Sequence, residues 1–262
     1  MPSQSSLREK RRGGNNRFGL PRFDSGGGFM CLFTKEVVMK DITKRVLDME
    51  KEFMSTDLPA PAQVVSSNSK TGQSFNSLIS FCDGRTDICR AECYACRGRL
   101  AMPATVRKAC AVRQFVEEYG AYRSAQRVCW EINQPTFRWM ARGDFDPLYV
   151  DLANRAAWLR PEIKHYAFSR QINALSYLDK SITKVLSLDK TSRDLLCHIP
   201  DNWIVAYLKT EVDEHIPTRV DVIFPLNHCK TLIDGDEQVC SFYLNGQVTC
   251  STCRRCIQER RC

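Results

Sequence analysis

The chain has 262 residues, of which 43% are apolar, 10% aromatic and 26% charged, enough to bury one substantial core or two modest ones and too apolar for wholesale disorder. No window approaches about eighteen consecutive apolar residues, and Arg8, Lys10, Arg11 and Arg12 open the chain without the apolar run of a secretory signal, so a cytoplasmic protein is expected, with no membrane span. The net charge of +8 gathers partly in the first residues, where Arg17 and Arg22 join those four cations, and the remaining body is only mildly basic.

Residues 1–27 combine these cations with glycine pairs and asparagine and hold too little apolar material to offset the entropy of ordering, so they read as a basic, disordered tail. A helix is expected over 33–54, where Val37, Val38, Ile42, Val46, Leu47, Met49 and Phe53 recur at helical spacing. It belongs to an N-terminal helical segment and linker, 28–60, that ends near Leu58-Pro59-Ala60-Pro61.

From 61 to 228 strands and helices alternate. Leu78-Ile79-Ser80-Phe81 reads as a strand leading into a group of cysteines, and 106–119 and 121–132 as helices. Residues 137–141 form the next expected strand, which runs into Arg142-Gly143-Asp144-Phe145 and a helix that starts at Pro147 and stops at Pro161. Strands then follow at 165–169, 183–188, 203–208 and 220–224, with short helices at 173–178 and 192–197. The pattern predicts an α/β fold, a partial or open (β/α) barrel of about six mostly parallel strands, although a doubly wound open sheet gives nearly the same alternation. In both, chemistry collects at the carboxyl ends of the strands, here Gly143, Asp144, Ser169, Arg170, Ser187, Asp189, Lys209 and Glu211.

The fourteen cysteines are unevenly spread. Cys82, Cys89, Cys93 and Cys96 fall in one short stretch; Cys240, Cys250, Cys253, Cys256 and Cys262 lie in a cysteine-rich C-terminal segment, 229–262. Such clustering favours metal ligation over a disulfide framework. Cys89, Cys93 and Cys96 are spaced C-x3-C-x2-C, so a tight loop could bring three thiolates to the corners of a 4Fe-4S cubane and leave a fourth iron open. Cys82 is near enough to close the site, and four thiolates on zinc are the simpler alternative. The C-x2-C-x2-C run of Cys250, Cys253 and Cys256, with Cys240 ten residues earlier, suits a second cluster better than a single zinc and is similar to the run of bacterial ferredoxins.

The first cysteine loop also resembles the signature of radical S-adenosylmethionine enzymes, with Ala95 where those usually carry an aromatic residue. That resemblance implies S-adenosylmethionine as cofactor, a cysteine loop after the first strand and a Gly-Gly-Glu-like turn after the second, for which Gly143-Asp144 stands with Asp144 facing an ammonium group. A helix cap is the other role for Asp144. Five separated motifs carry a second resemblance: Asn68-Ser69-Lys70-Thr71-Gly72; Cys82 and Cys89 with Cys93-Tyr94-Ala95; Gly143-Asp144-Phe145; Tyr166-Ala167-Phe168-Ser169-Arg170; and Val248 to Cys256. In this order they are similar to the phage "gene product 88" family. The resemblance implies a phage or mobile-element protein with cysteine clusters, Cys82, Cys89 and Cys93 as fixed ligands, Cys96 as an extra one, and no named reaction.

No Walker loop, G-x-S-x-G elbow or H-E-x-x-H helix occurs, and the four histidines are too dispersed to nominate a base. Two functions are therefore carried forward. One is an iron–sulfur protein, with one or two 4Fe-4S clusters, acting as a radical S-adenosylmethionine-like enzyme on an unknown substrate. The other is a non-catalytic, zinc- or cluster-stabilised protein that binds nucleic acid through its basic tail.

Overall fold

The structure is a computed structural model that describes residues 31–226, 238–241, 248–253 and 255–257. The expected tail at 1–27, and Cys229 and Cys262, lie outside the described residues. Helix α1 (Cys31–Met54) comes first, then a short antiparallel hairpin of β1 (Ser66–Asn68) and β2 (Gly72–Phe75). A 3-10 turn (Ile79–Phe81) and the one-turn α2 (Asp87–Ala91) carry the first cysteines. After them come α3 (Pro103–Glu131), β3 (Thr136–Trp139), α4 (Pro147–Leu159), β4 (Lys164–Ser169), α5 (Ile172–Ser176), β5 (Thr183–Leu188), β6 (Ile204–Lys209), β7 (Val222–Pro225) and a final turn, α6 (Cys250–Cys253). Among the described residues no helix is long and apolar enough to cross a membrane.

The strands from 137 onward stand within a residue or two of where β-branched and aromatic runs place them. Proline occupies the first turn of both α3 and α4, and Asp146, whose Oδ1 accepts from Tyr149 N at 2.9 Å, caps α4. Gly120, at φ +71°, interrupts α3 where the sequence divides it into two helices. Two expectations need correction. Residues 79–81 form a 3-10 turn, and the strand lies earlier, at Gly72–Phe75. Its polar residues hid it: Gln73 and Ser74 are buried by tertiary packing and break any apolar run. The helix expected at 192–197 is a 3-10 segment, Arg193–His198.

The seven strands are ordered β1 to β7 as in the sequence, parallel from β2 onward, and the sheet stays open with β1 and β7 at its edges. Alternation along each strand then defines two faces. Phe75, Phe137, Trp139, Ala167, Leu186 and Tyr207 face the helices and pack with α3 and α4 in the main core. Tyr166, Phe168, Val185, Ile204, Ala206 and Val222 face the other way and are covered by Cys240, Cys256 and Ile257. Each large side chain so buried contributes about 1.5–3 kcal/mol.

One ion pair positions the rim where the first cysteines lie. Arg142, just beyond β3, donates from Nη2 to Glu50 Oε1 in α1 at 2.6 Å, and both side chains are only 1% exposed. Glu50 also accepts from the backbone N–H groups of Ile79 and Ser80 at 2.9 Å each, while Arg142 Nη1 donates to the Ser77 carbonyl at 2.9 Å. Next to it, Gly143 has φ +76° and approaches Ser77 so closely that a Cβ there would lie 2.6 Å from the Ser77 carbonyl carbon. Only glycine fits.

Removing one partner of this buried pair strands a charge. Glu50→Ala is expected to cost about 3–5 kcal/mol in urea denaturation, whereas a Glu50→Leu/Arg142→Leu double variant recovers much of that loss. A second test concerns His165, which is buried, accepts a hydrogen bond from Trp139 Nε1 at 3.2 Å and is pushed down to about 4 chiefly by desolvation. The unfolded chain binds the extra proton from about pH 6.5 downward, so stability should fall by about 3 kcal/mol between pH 6.5 and 4. His165→Gln should flatten the profile across that window.

Candidate metal centres at two thiol groups

The cysteine loop, residues 82–96, is docked on the carboxyl ends of the parallel strands. Thr86 caps α2: its Oγ1 accepts from Cys89 N at 3.0 Å and donates to Asp189 Oδ2, just past β5, at 2.5 Å. Arg170, past β4, donates from Nη1 to the same oxygen at 2.8 Å, and Asp189 Oδ1 accepts from Thr191 N and Oγ1 at 3.0 and 2.6 Å. Burial pushes the Asp189 carboxyl up, but the hydrogen bonds from Thr191 and Thr86 and the Arg170 charge outweigh it and hold the group below its ordinary value. On the other side of the loop, the Tyr94 hydroxyl donates to the Ala141 carbonyl beyond β3.

Most residues nominated at the strand ends do meet, and they spend their polar atoms on one another. Asp144 Oδ1 accepts from Ser169 Oγ at 2.6 Å and Phe145 N at 2.8 Å, and its Oδ2 accepts from Arg170 N at 3.3 Å. Desolvation nonetheless raises its pKa. The α4 cap is Asp146, so Asp144 ties the β3 and β4 loops instead. Gly143 makes the close approach to Ser77 described above. Ser187 stands apart from this network, half-buried opposite Ala206 on the second face of the sheet.

Of the first thiols, Cys96 is the most deeply buried and is hydrogen-bonded to Cys93. Cys82, Cys89 and Cys93 are within electrostatic reach of one another, with Arg85 beside Cys82 and Arg170 beside Cys89. Burial raises the Cys82 and Cys89 thiols, and at Cys82 the Asp144 charge adds to it. Cys96 turns back toward α1, packed with Val46, Val106, Ala109 and Cys110 near Glu50 and Arg142. A hydrogen bond with Cys93 pulls Cys96 down to about 7 and pushes Cys93 up.

The second group lies on the face opposite the helices. Cys240 N donates to the Ile223 carbonyl in β7 at 3.0 Å, and Cys250 N donates to the Lys70 carbonyl in the β1–β2 turn at 2.8 Å. Thr183 Oγ1, at the start of β5, donates to the Ile257 carbonyl at 3.5 Å. These ties bring Cys240, Cys250, Cys253 and Cys256 within electrostatic reach of each other. Desolvation pushes the Cys256 thiol up to about 12 and raises Cys250 as well. Among the described residues, no three His, Cys, Asp or Glu side chains stand close enough as placed to hold a single metal ion.

Sequence reasoning passed over Arg138, which stands beside the second group. The signal was present: in Phe137-Arg138-Trp139, alternation sends the arginine to the face opposite two buried aromatics, where a cation needs a reason. It also passed over Thr86, although threonine three residues before Cys89 is an N-cap pattern. Cys110 and Cys129 are buried singly, their thiols donating to the carbonyls of Glu50 and Ala156 at 3.8 and 3.6 Å, and act as small apolar groups.

An open, sequentially ordered α/β sheet with a cysteine loop across its strand ends is the class these features define. The family model for Gene product 88 matches residues 40–260, and the chain belongs to that phage family. Neither a curated protein nor a solved structure matches the chain at a significant level.

The Thr86 link gives a direct test of how Cys89 is held. Thr86→Val removes both the cap and the tie to Asp189, at a cost of about 1–2 kcal/mol, and should speed alkylation of Cys89 by about 5–30-fold, read by mass spectrometry. Thr86→Ser should stay close to the parent rate.

Proposed function

We propose that this chain is an iron–sulfur protein with two thiolate-held centres, the first bound by Cys82, Cys89 and Cys93 and the second by Cys240, Cys250, Cys253 and Cys256. The observation that carries the reading is that the thiols of each cysteine-rich stretch lie within electrostatic reach of one another, at two separate places on the sheet. A structural thiol has no need of such company, since burial among other thiols raises the cost of ionising each one. A metal removes that cost by taking the proton's place.

The position of Cys96 favours an open first centre. Cys96 is hydrogen-bonded to Cys93 but buried toward α1; with Cys82, Cys89 and Cys93 as the three ligands, one iron corner would be left for a ligand at the carboxyl ends of the strands. This arrangement supports a radical S-adenosylmethionine-like enzyme on an incomplete (β/α) barrel, in the cytoplasm of a phage host. Asp144 does not serve there as the ammonium partner, because both of its oxygens are engaged by its own loops. The nucleic-acid reading draws on the basic tail, which lies outside the described residues.

Zinc and iron ask for different spacing. Four thiolates on one zinc stand about 3.8 Å apart, from a Zn–S length of about 2.3 Å in a tetrahedron, whereas a cubane gives each thiolate its own iron. Anaerobic purification should give a brown protein with about four irons per centre, about eight in all. Cys89→Ser and Cys253→Ser should each halve the iron and sulfide, and Cys96→Ser should leave both near the parent value. A colourless protein that carries zinc in place of iron would overturn the iron–sulfur assignment.

A further inference from the structure

Two thiols of the cysteine loop already meet. Cys93 and Cys96 bound the 3-10 turn Tyr94–Cys96, which is closed by a bond from Cys96 N to the Cys93 carbonyl at 3.2 Å, and their side chains are hydrogen-bonded to one another. A four-residue turn closed in this way keeps its first and fourth Cα atoms within about 7 Å, and side chains three residues apart in a 3-10 turn eclipse. A disulfide asks for Cα atoms about 4.4–6.8 Å apart with the Cβ atoms turned toward one another. The C-x2-C spacing and the turn together therefore supply the approach that a sulfur–sulfur bond needs, whereas among the described residues no three ligand side chains stand close enough for a metal ion.

The surroundings distinguish the two sulfurs. Cys96 is 2% exposed and packed with Val46, Val106, Ala109 and Cys110, while Cys93 is half-buried. A reaction partner from solvent reaches Cys93 first. A disulfide carries no charge and no polar hydrogen, so it suits the apolar packing on the Cys96 side. The turn is also held from outside the pair: the Tyr94 hydroxyl donates to the Ala141 carbonyl, and Arg97 Nη2 donates to the Ala91 carbonyl at 3.1 Å and to Glu92 Oε2 at 2.8 Å. A bond across so short a loop gains little from loop closure, which makes it a reversible bond and not a structural staple.

We propose that Cys93 and Cys96 form a reversible dithiol–disulfide couple that exchanges with disulfide substrates at the rim where the cysteine loop docks. The Cys93 thiolate attacks one sulfur of the partner disulfide, forming a mixed disulfide and releasing one partner thiol. Cys96 then attacks Cys93 Sγ, releasing the second partner thiol and leaving the Cys93–Cys96 bond. Two protein thiols are oxidised, the partner disulfide is reduced to two thiols, and the two protons pass to the leaving sulfurs. The couple needs no metal and goes beyond the metal-centre reading. Cys93 tied to Cys96 is withdrawn from Cys82 and Cys89, so the disulfide and a metal held by those three thiols exclude one another.

The test uses the full chain, stripped of metal by chelator and reductant and then equilibrated anaerobically in mixtures of reduced and oxidised glutathione. Samples are quenched in acid, alkylated and digested with trypsin, and circular dichroism checks the fold. Peptide 91–97 holds Cys93, Cys96 and no other cysteine, so the disulfide reads in mass spectrometry as that peptide unalkylated and two hydrogens lighter. The parent should give this species as oxidised glutathione is raised, and Cys89→Ser should behave like the parent. Cys96→Ser should stop at the mixed disulfide on Cys93 and accumulate about tenfold more of it than the parent, and Cys93→Ser should take up no glutathione at Cys96. A folded parent whose peptide 91–97 stays reduced in excess oxidised glutathione, or whose Cys93 pairs with Cys82 or Cys89 instead, would overturn the proposal. Metal analysis of the untreated protein tests the other reading separately: a metal-loaded parent whose stripped form makes no disulfide overturns the couple alone, and a metal-free parent that forms it supports the couple and counts against the metal centres.

Discussion

The order of the strands constrains everything else in this molecule. A parallel sheet wound in one direction, with each new strand added beside the last, takes its crossovers with a single handedness and so stacks its helices on one face. α3 and α4 bury that face. The opposite face carries a smaller apolar patch, with Tyr166, Phe168, Val185 and Ile204, and needs cover from elsewhere in the chain. A closed barrel covers its inner face with itself, but an open sheet cannot. Here the C-terminal residues take that role, and because they are cysteine-rich, covering the face also brings four thiols over it.

The two thiol groups are built on different principles as a result. The first is held by a lattice of charge: Glu50 with Arg142 below the loop, and Asp189 with Thr86 and Arg170 beside it. Its carboxylates are saturated by donors within the fold, which fixes the loop but removes those groups from any ligand. That is a familiar division of labour, in which the groups that orient a site are not the groups that act in it. The second group sits on hydrogen bonds to β7, β5 and the β1–β2 turn, above aromatic and aliphatic side chains, with cations as its charged neighbours.

Much of this was legible from the residues. The strands at 183–188 and 165–169 announce themselves as apolar, β-branched runs, and the proline at 147 marks a helix start because a first-turn proline loses no hydrogen bond. The cysteine spacings pointed to two groups, and among the described residues each group lies within one part of the fold without three ligands close enough for a single metal ion. What the sequence could not reveal was which polar side chains are consumed internally. Asp144 and Asp189 stand where a ligand-binding carboxylate belongs, and only the distances to Ser169, Thr86 and Arg170 show how fully they are engaged. The hairpin at 66–75 was missed for a related reason, since its strands are polar and its burial comes from neighbours distant in the chain.

The same contrast bears on how binding and folding are linked in the two halves. The rim of the first group would keep its shape with the thiols protonated, because Glu50, Asp144 and Asp189 hold the loops without them. Among its described residues, the C-terminal stretch buries Val239 in the main core and Cys240, Cys256 and Ile257 over the second face. Cover of the second face therefore couples the C-terminal residues to β7, β5 and the β1–β2 turn by hydrogen bonds as well as by burial.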